Sequence, residues 1–193
     1  MSVPYAVFDF DNTLTTQDSV VPYLLYCRKR GLCGWGHLLR CGLAYIGQRL
    51  DPSRVLRAKE VSLSFLQGKT QAELDALARD FFREDMSRRL LAEGQKELAS
   101  LREKGIRIMI VSASADVYMR AFRELLGVDE LVCTRTLTDS EGRFNGRVER
   151  NCRGEEKVLR LKRWLEEHAG EEPELVAGYG DSSGDIPMLR FVP

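Results

Sequence analysis

The feature that most constrains this chain is an interrupted alternation of strand and helix. Residues 3–10 (Val-Pro-Tyr-Ala-Val-Phe-Asp-Phe) are apolar until the acid, and too few for a helix. Such a run reads as a strand buried on both faces of a parallel sheet. No second strand follows at once. From Val20 to Glu93 the pattern is helical, with breaks at Gly31, Gly34-Trp35-Gly36, Asp51-Pro52 and Gly68. Alternation then resumes, so one α/β layer is split by a helical insertion.

The second half follows βα logic. Gln95 to Lys104 reads as a helix closed by Gly105, and 106–111 (Ile-Arg-Ile-Met-Ile-Val) as a buried strand. Asp116 to Leu126 reads as a helix stopped by Gly127, with Ser114 as its N-cap. Residues 130–138 read as a third strand, and Asp139 to Gly142 as a turn leading to a returning strand, Arg143 to Glu149. Glu155 to His168 reads as a helix with Val158, Leu161, Trp164 and Leu165 on one face. A fourth strand, Glu174 to Gly178, precedes a Gly/Asp/Ser loop and a short helix from Ile186.

The expected fold is therefore α/β: a Rossmann-like parallel sheet formed by 1–16 and 95–193, with an all-helical cap subdomain over 17–94. At 193 residues, 44% hydrophobic and 30% charged, such a chain supports a core without disulfides or structural metal. The 29 basic and 29 acidic residues cancel, which argues against a nucleic-acid binder. The five cysteines form no Cys-x-x-Cys pair, and no signal peptide is apparent, so a reducing, cytoplasmic setting is expected. No apolar stretch reaches the roughly 18 residues of a spanning helix.

The neutral total hides a local bias. Residues 15–50 carry five basic groups (Arg28, Lys29, Arg30, Arg40, Arg49) against Asp18, a net of +4, and are rich in Leu, Tyr, Trp and Val. Two readings remain open. One is a peripheral membrane contact through 20–49; the other is a helix pair packing on itself with solvated arginines. The oligomeric state is left open.

Four elements carry chemistry. Asp9-Phe10-Asp11-Asn12-Thr13 places two carboxylates two residues apart as a strand ends, where a parallel sheet binds ligands. Close carboxylates repel, so a divalent cation is their natural companion. Ser112 follows the second strand and offers a hydroxyl and free amides to an anion. Lys157 lies near a helix start, against the helix dipole, a placement a phosphate would offset. Gly178-Tyr179-Gly180-Asp181-Ser182-Ser183-Gly184-Asp185 brings two acids to the fourth strand's end, spaced to hold one hydrated Mg²⁺.

In this order, Asp9/Asp11/Thr13, Ser112, Lys157 and Asp181/Asp185 resemble the signature of haloacid dehalogenase superfamily phosphatases. The helical insertion and the stretch from Thr136 through Lys157 are similar to the phosphoserine-phosphatase-like branch, subfamily IB. The resemblance implies a Mg²⁺-dependent hydrolase of a small phosphomonoester. Asp9 would be the nucleophile that forms an aspartyl-phosphate, and Asp11 the general acid and base. Mg²⁺ would be held by the Asp9 carboxylate, the Asp11 backbone carbonyl and Asp181, with Thr13 and Asp185 in support. Ser112 and Lys157 would hold phosphoryl oxygens, with Arg153 a rival to Lys157.

The chain departs from that branch in three places. The second motif reads Ser112-Ala113-Ser114 where Ser-Gly-Gly is usual. Asp18 stands where a substrate-gripping cap Glu is expected. The tract most similar to the one bearing a cap Arg reads Lys59-Glu60-Val61-Ser62. A lipid-phosphate phosphatase at a membrane surface, a non-catalytic phosphate-ligand scaffold and a phosphotransferase remain alternatives. The family also usually continues beyond Phe191-Val192-Pro193, so the expected sheet lacks a C-terminal strand.

Overall fold

A computed structural model describes residues 2–193. Four parallel strands form the sheet in the order β3-β2-β1-β6, where β1 is Val3–Phe8, β2 Arg107–Ala115, β3 Glu130–Thr134 and β6 Pro173–Tyr179. The chain steps outward from β1 through β2 to β3, then returns to pair β6 on the other side of β1. The switch point therefore lies at the carboxyl end of β1, where open α/β sheets bind ligands.

Period-two alternation sorts β1 and β2 onto two cores. Ala6 and Phe8 of β1, with Ile108 and Ile110 of β2, face one layer; Tyr5 and Val7, with Met109 and Val111, face the other. The second layer is closed by α7 (Glu155–Glu167) and α8 (Ile186–Phe191), with Trp164 edge-on to Tyr5 at 5.0 Å.

The first layer is shared with the helical insertion. This comprises α1 (Val20–Lys29), α2 (Trp35–Leu50), α3 (Val55–Leu63) and α4 (Gln71–Glu84). Phe81 and Phe82 of α4 meet Phe122 of α6 (Asp116–Leu126) at ring distances of 5.7 and 5.1 Å, and Tyr23 of α1 meets Tyr118 at 4.9 Å. Helix α5 (Ala92–Glu103) leads back into β2. The chain enters and leaves the insertion along two neighbouring segments, tied by Thr16 N to Arg89 O at 2.8 Å and Leu91 N to Leu14 O at 2.9 Å.

Several details depart from the sequence reading. Ser114 does not cap α6: β2 runs on through it, Ala115 is the N-cap residue, and Ser114 turns its hydroxyl to Asp11. The third strand divides at Arg135, because Thr136 is drawn off to the Asp116 carboxylate by its N–H (3.0 Å) and hydroxyl (2.7 Å). Residues Thr136–Thr138 (β4) then pair antiparallel with Phe144–Val148 (β5) as a separate ribbon. That ribbon holds the insertion through Gly68 N to Phe144 O at 2.8 Å and Phe144 N to Lys69 O at 2.9 Å.

No described helix is long and apolar enough to cross a membrane. The basic, apolar stretch forms α1 and α2. Trp35, Leu39, Leu43, Ile46 and Leu50, one stripe of α2, are all mostly exposed, and the Arg28 guanidinium stacks on Trp35 at 3.6 Å.

Candidate active site

Three strand ends meet at one cleft of about 250 Å³, lined by Asp9, Asp11, Ser112, Lys157, Asp181 and Asp185, with Asp18 and Arg153 at its mouth. Asp9 directly follows β1, and its N–H donates to Tyr179 O of β6 at 2.8 Å, so sheet pairing fixes its backbone. Asn12 then adopts a left-handed φ of 60°, and Leu14 N donates to Phe10 O at 2.9 Å. Asparagine tolerates that conformation. The resulting turn gives the two carboxylates different surroundings.

Asp9 is buried, and its Oδ1 accepts from Lys157 Nζ at 2.6 Å. Lys157 also donates to Asp185 Oδ1 at 2.6 Å and is itself fully enclosed. The misplaced lysine near the start of α7 thus has its charge taken up by two carboxylates. Burial raises the pKa of Asp9, and the Lys157 ammonium opposes that rise. Burial would lower the pKa of Lys157, but Asp9 and Asp185 outweigh it and leave the ammonium more firmly protonated.

Asp185 is committed on its other side. Its Oδ2 accepts from Ser182 N at 3.0 Å and Ser182 Oγ at 2.7 Å, so it braces the loop after β6. Gly180 is required there: a Cβ on it would lie 2.6 Å from the Asp185 Cβ. The loop sets Asp181, which is exposed, beside Thr13, whose hydroxyl is 3.3 Å from Asp181 Oδ1 and 3.5 Å from Asp9 Oδ2. One hydroxyl proton cannot serve both carboxylates at once.

Carboxylate oxygens of Asp9, Asp181 and Asp185 lie within 4.8 Å of one another. Three such acids against one ammonium leave a net negative, all-oxygen donor set, which fits a hard divalent cation such as Mg²⁺. Because Lys157 and Ser182 already engage both oxygens of Asp185, Asp9 and Asp181 are the freer donors.

Asp11 turns the other way, towards the insertion. Its Oδ1 accepts from Ser19 N at 2.7 Å, and its Oδ2 accepts from Ser114 Oγ. Ser19 Oγ lies 3.2 Å from Ser114 Oγ and donates to Tyr118 Oη at 3.3 Å, extending the network. Burial, reinforced by the nearby charge of Asp18, pushes the Asp11 pKa up to about 6. Ser112 is buried, with its hydroxyl accepting from Ser114 N at 3.0 Å.

The cleft opens through Asp11, Asp18, Ala113 and Arg153 into a second pocket of about 110 Å³ bounded by Tyr45, Gln48, Lys59 and Asn151. Lys59 donates to Ala113 O, and burial lowers its pKa to about 8. Among the described residues Arg153 forms no ion pair, whereas Lys157 forms two, so the rivals occupy distinct places: Lys157 beneath Asp9, Arg153 at the mouth.

Sequence reasoning did not assign a role to Ser19, Lys59 or Tyr118. Their only signal was location in or against the insertion. Lys59 lay in the tract compared with a cap arginine, without a spacing that selects it.

The pattern of the family described as haloacid dehalogenase-like hydrolase matches residues 6–190. Protein CicA of Caulobacter vibrioides is 35% identical over 186 residues, spanning 95% of this chain and 81% of that protein. A histidinol-phosphatase of Neisseria meningitidis is 26% identical over 97% of this chain and 86% of its own length. A crystal structure of a Bordetella pertussis protein of unknown function superposes with a TM-score of 0.81 at 24% identity, over 100% of this chain and 88% of the other.

Proposed function

This chain belongs to the haloacid dehalogenase-like hydrolase family, and from that membership we propose that it is a Mg²⁺-dependent phosphomonoester hydrolase working through an aspartyl-phosphate. The observation that carries the reading is the divergent setting of two neighbouring acids. Asp9 is held by an ammonium group at 2.6 Å, while Asp11 is bonded to Ser19 and Ser114, and burial raises its pKa to about 6. Two neighbouring acids with different partners can serve one site as nucleophile and as proton donor.

In this mechanism Lys157 favours the ionised form of Asp9 and fixes its position at the cleft. A phosphomonoester enters with its phosphate beside Asp9, Ser112 and Lys157. An Asp9 carboxylate oxygen attacks phosphorus in line with the ester oxygen. Asp11, protonated, delivers its proton to the departing alcohol. The same carboxylate, now ionised, takes a proton from water as that water attacks the aspartyl-phosphate, which regenerates Asp9 and releases phosphate. Mg²⁺, held by Asp9, Asp181 and the Asp11 carbonyl, would neutralise charge on the transferred phosphoryl group. Asp18, Lys59 and Arg153 bound the space left for the alcohol portion.

The test is release of phosphate from p-nitrophenyl phosphate with and without Mg²⁺. Turnover that needs Mg²⁺ and is lost in Asp9→Asn supports the reading. Full activity in Asp9→Asn, or none in the wild type with Mg²⁺, overturns it.

A further inference from the structure

The pocket next to the catalytic cleft does not end at polar residues. It adjoins a groove of about 520 Å³ between α1 and α2, sharing Asp18, Val20, Tyr45 and Ser62 with it. The groove walls are apolar: Val21, Leu24 and Leu25 come from α1, and Leu38, Gly42 and Ile46 from α2. Its volume falls within the range of ligand sites, roughly 300–1,000 Å³. Val21, Leu25 and Ile46 are each more than half exposed, so the groove is open to water. Apolar surface left open in this way is a binding surface in want of an occupant.

Position and charge select the occupant. The groove's inner end lies at Asp18, the residue that also borders the cleft containing Asp9. A ligand filling both spaces needs an anionic phosphate at one end and hydrocarbon at the other. Around the junction stand Lys59, Arg153 and Arg49, and between Ser19 and Leu50 the chain has five basic residues and no acid. The apolar surface then continues from the groove onto the exposed stripe Trp35, Leu39, Leu43 and Leu50. A polar metabolite has no use for such a wall, whereas a hydrocarbon chain does.

We propose that the α1–α2 groove receives the hydrocarbon chain of an amphiphilic phosphomonoester whose phosphate lies at Asp9. The proposal rests on the hydrolase reading above and narrows its substrate class to phosphate esters of long-chain alcohols or lipids.

Gly42 offers a means of closing the groove. A Cβ there meets no atom within 4 Å, and the residue lies inside α2, where glycine is a poor helix former. Gly42→Trp therefore fills the groove without disturbing the packed side of the helix.

The experiment measures kcat/KM of the full chain with Mg²⁺ on ethyl, butyl, octyl and dodecyl phosphate, each below its micelle-forming concentration. In parallel, octylphosphonate and ethylphosphonate binding is followed by calorimetry, which needs no turnover. Full burial of a methylene corresponds to about a fourfold gain. We expect about two- to fourfold per methylene from butyl to octyl, and at least tenfold tighter binding of the longer phosphonate. In Gly42→Trp, shown to be folded by its thermal melt, the octyl-to-ethyl ratio collapses towards one.

Turnover that is flat with chain length, together with equal binding of the two phosphonates, overturns the groove assignment and leaves the hydrolase reading standing. Chain-length-dependent phosphonate binding without turnover of any ester supports the groove and sinks the hydrolase reading. With a flat series, binding to anionic vesicles assigns the face to a membrane surface, and a concentration-dependent dimer lost in Gly42→Trp assigns it to a second copy. Either result overturns the proposal.

Discussion

Lys157 Nζ lies 2.6 Å from Asp9 Oδ1, and the same ammonium group lies 2.6 Å from Asp185 Oδ1. A single buried cation thus links the end of β1 to the loop after β6, and holds the proposed nucleophile in place before any ligand arrives.

Lys157→Met removes the ammonium group that pairs with the buried Asp9 and Asp185. Breaking a buried ion pair from one side costs about 3–5 kcal/mol, because the partner charges stay enclosed. For a chain of this length that is a fall in Tm of about 10 °C. We expect that fall in chelator by differential scanning calorimetry, and partial recovery with Mg²⁺, which stabilises by binding the folded site. Recovery absent at millimolar Mg²⁺ would contradict the cation assignment.

Asp9→Asn is expected to reduce phosphate release by at least about 10³-fold, since nucleophile and metal donor are lost together. Rapid-quench measurement with radiolabelled substrate checks the intermediate directly. Acid-stable, hydroxylamine-labile label on wild type and none on the variant is the expected result.

Asp11→Asn separates function from stability. The Asp11 pKa is raised to about 6 from an ordinary 3.8, so between these values the folded protein binds the extra proton. Wild-type stability therefore falls as pH rises through that window, and the cost is fully present above it. It amounts to about 2–3 kcal/mol. Asparagine still accepts from Ser19 N and donates to Ser114 Oγ, so the variant avoids the cost. Urea unfolding in chelator at pH 4 and pH 7 is expected to show near-equal stabilities at the lower pH and a more stable, inactive variant at the higher. A variant advantage that shrinks with pH would contradict the assignment.

Lys59 is expected to set a limb of the pH profile. Its pKa is lowered to about 8, so its charge is present below that pH and lost above it. For an anionic substrate, kcat/KM is expected to decline above pH 8 through weaker binding. In Lys59→Met this limb disappears and kcat/KM at pH 7 falls by about tenfold or more. Unaltered pH dependence in the variant would assign the limb elsewhere.

The sequence by itself determined the α/β layer and the residues at its strand ends. Asp9 and Asp181 were legible because each belongs to a short local pattern: a buried strand ending in a polar loop; Ser112 was legible as the first polar residue after an apolar run, although β2 continues past it to Ala115. The same alternation separates Ala6 and Phe8 from Tyr5 and Val7. Lys157 was legible as an ill-placed charge, but its neutralisation by Asp9 and Asp185 was not, since those partners lie 148 and 28 residues away. Only the tertiary structure decided what surrounds Asp11. Ser19, Ser114 and Tyr118 come from different elements, and only packing of the helical insertion against α6 brings them together. Packing likewise decided that α2 buries Cys41 and leaves an apolar face to solvent beside the cleft. Local periodicity shows that a helix has an apolar face; which part of that face stays uncovered depends on where the rest of the chain goes.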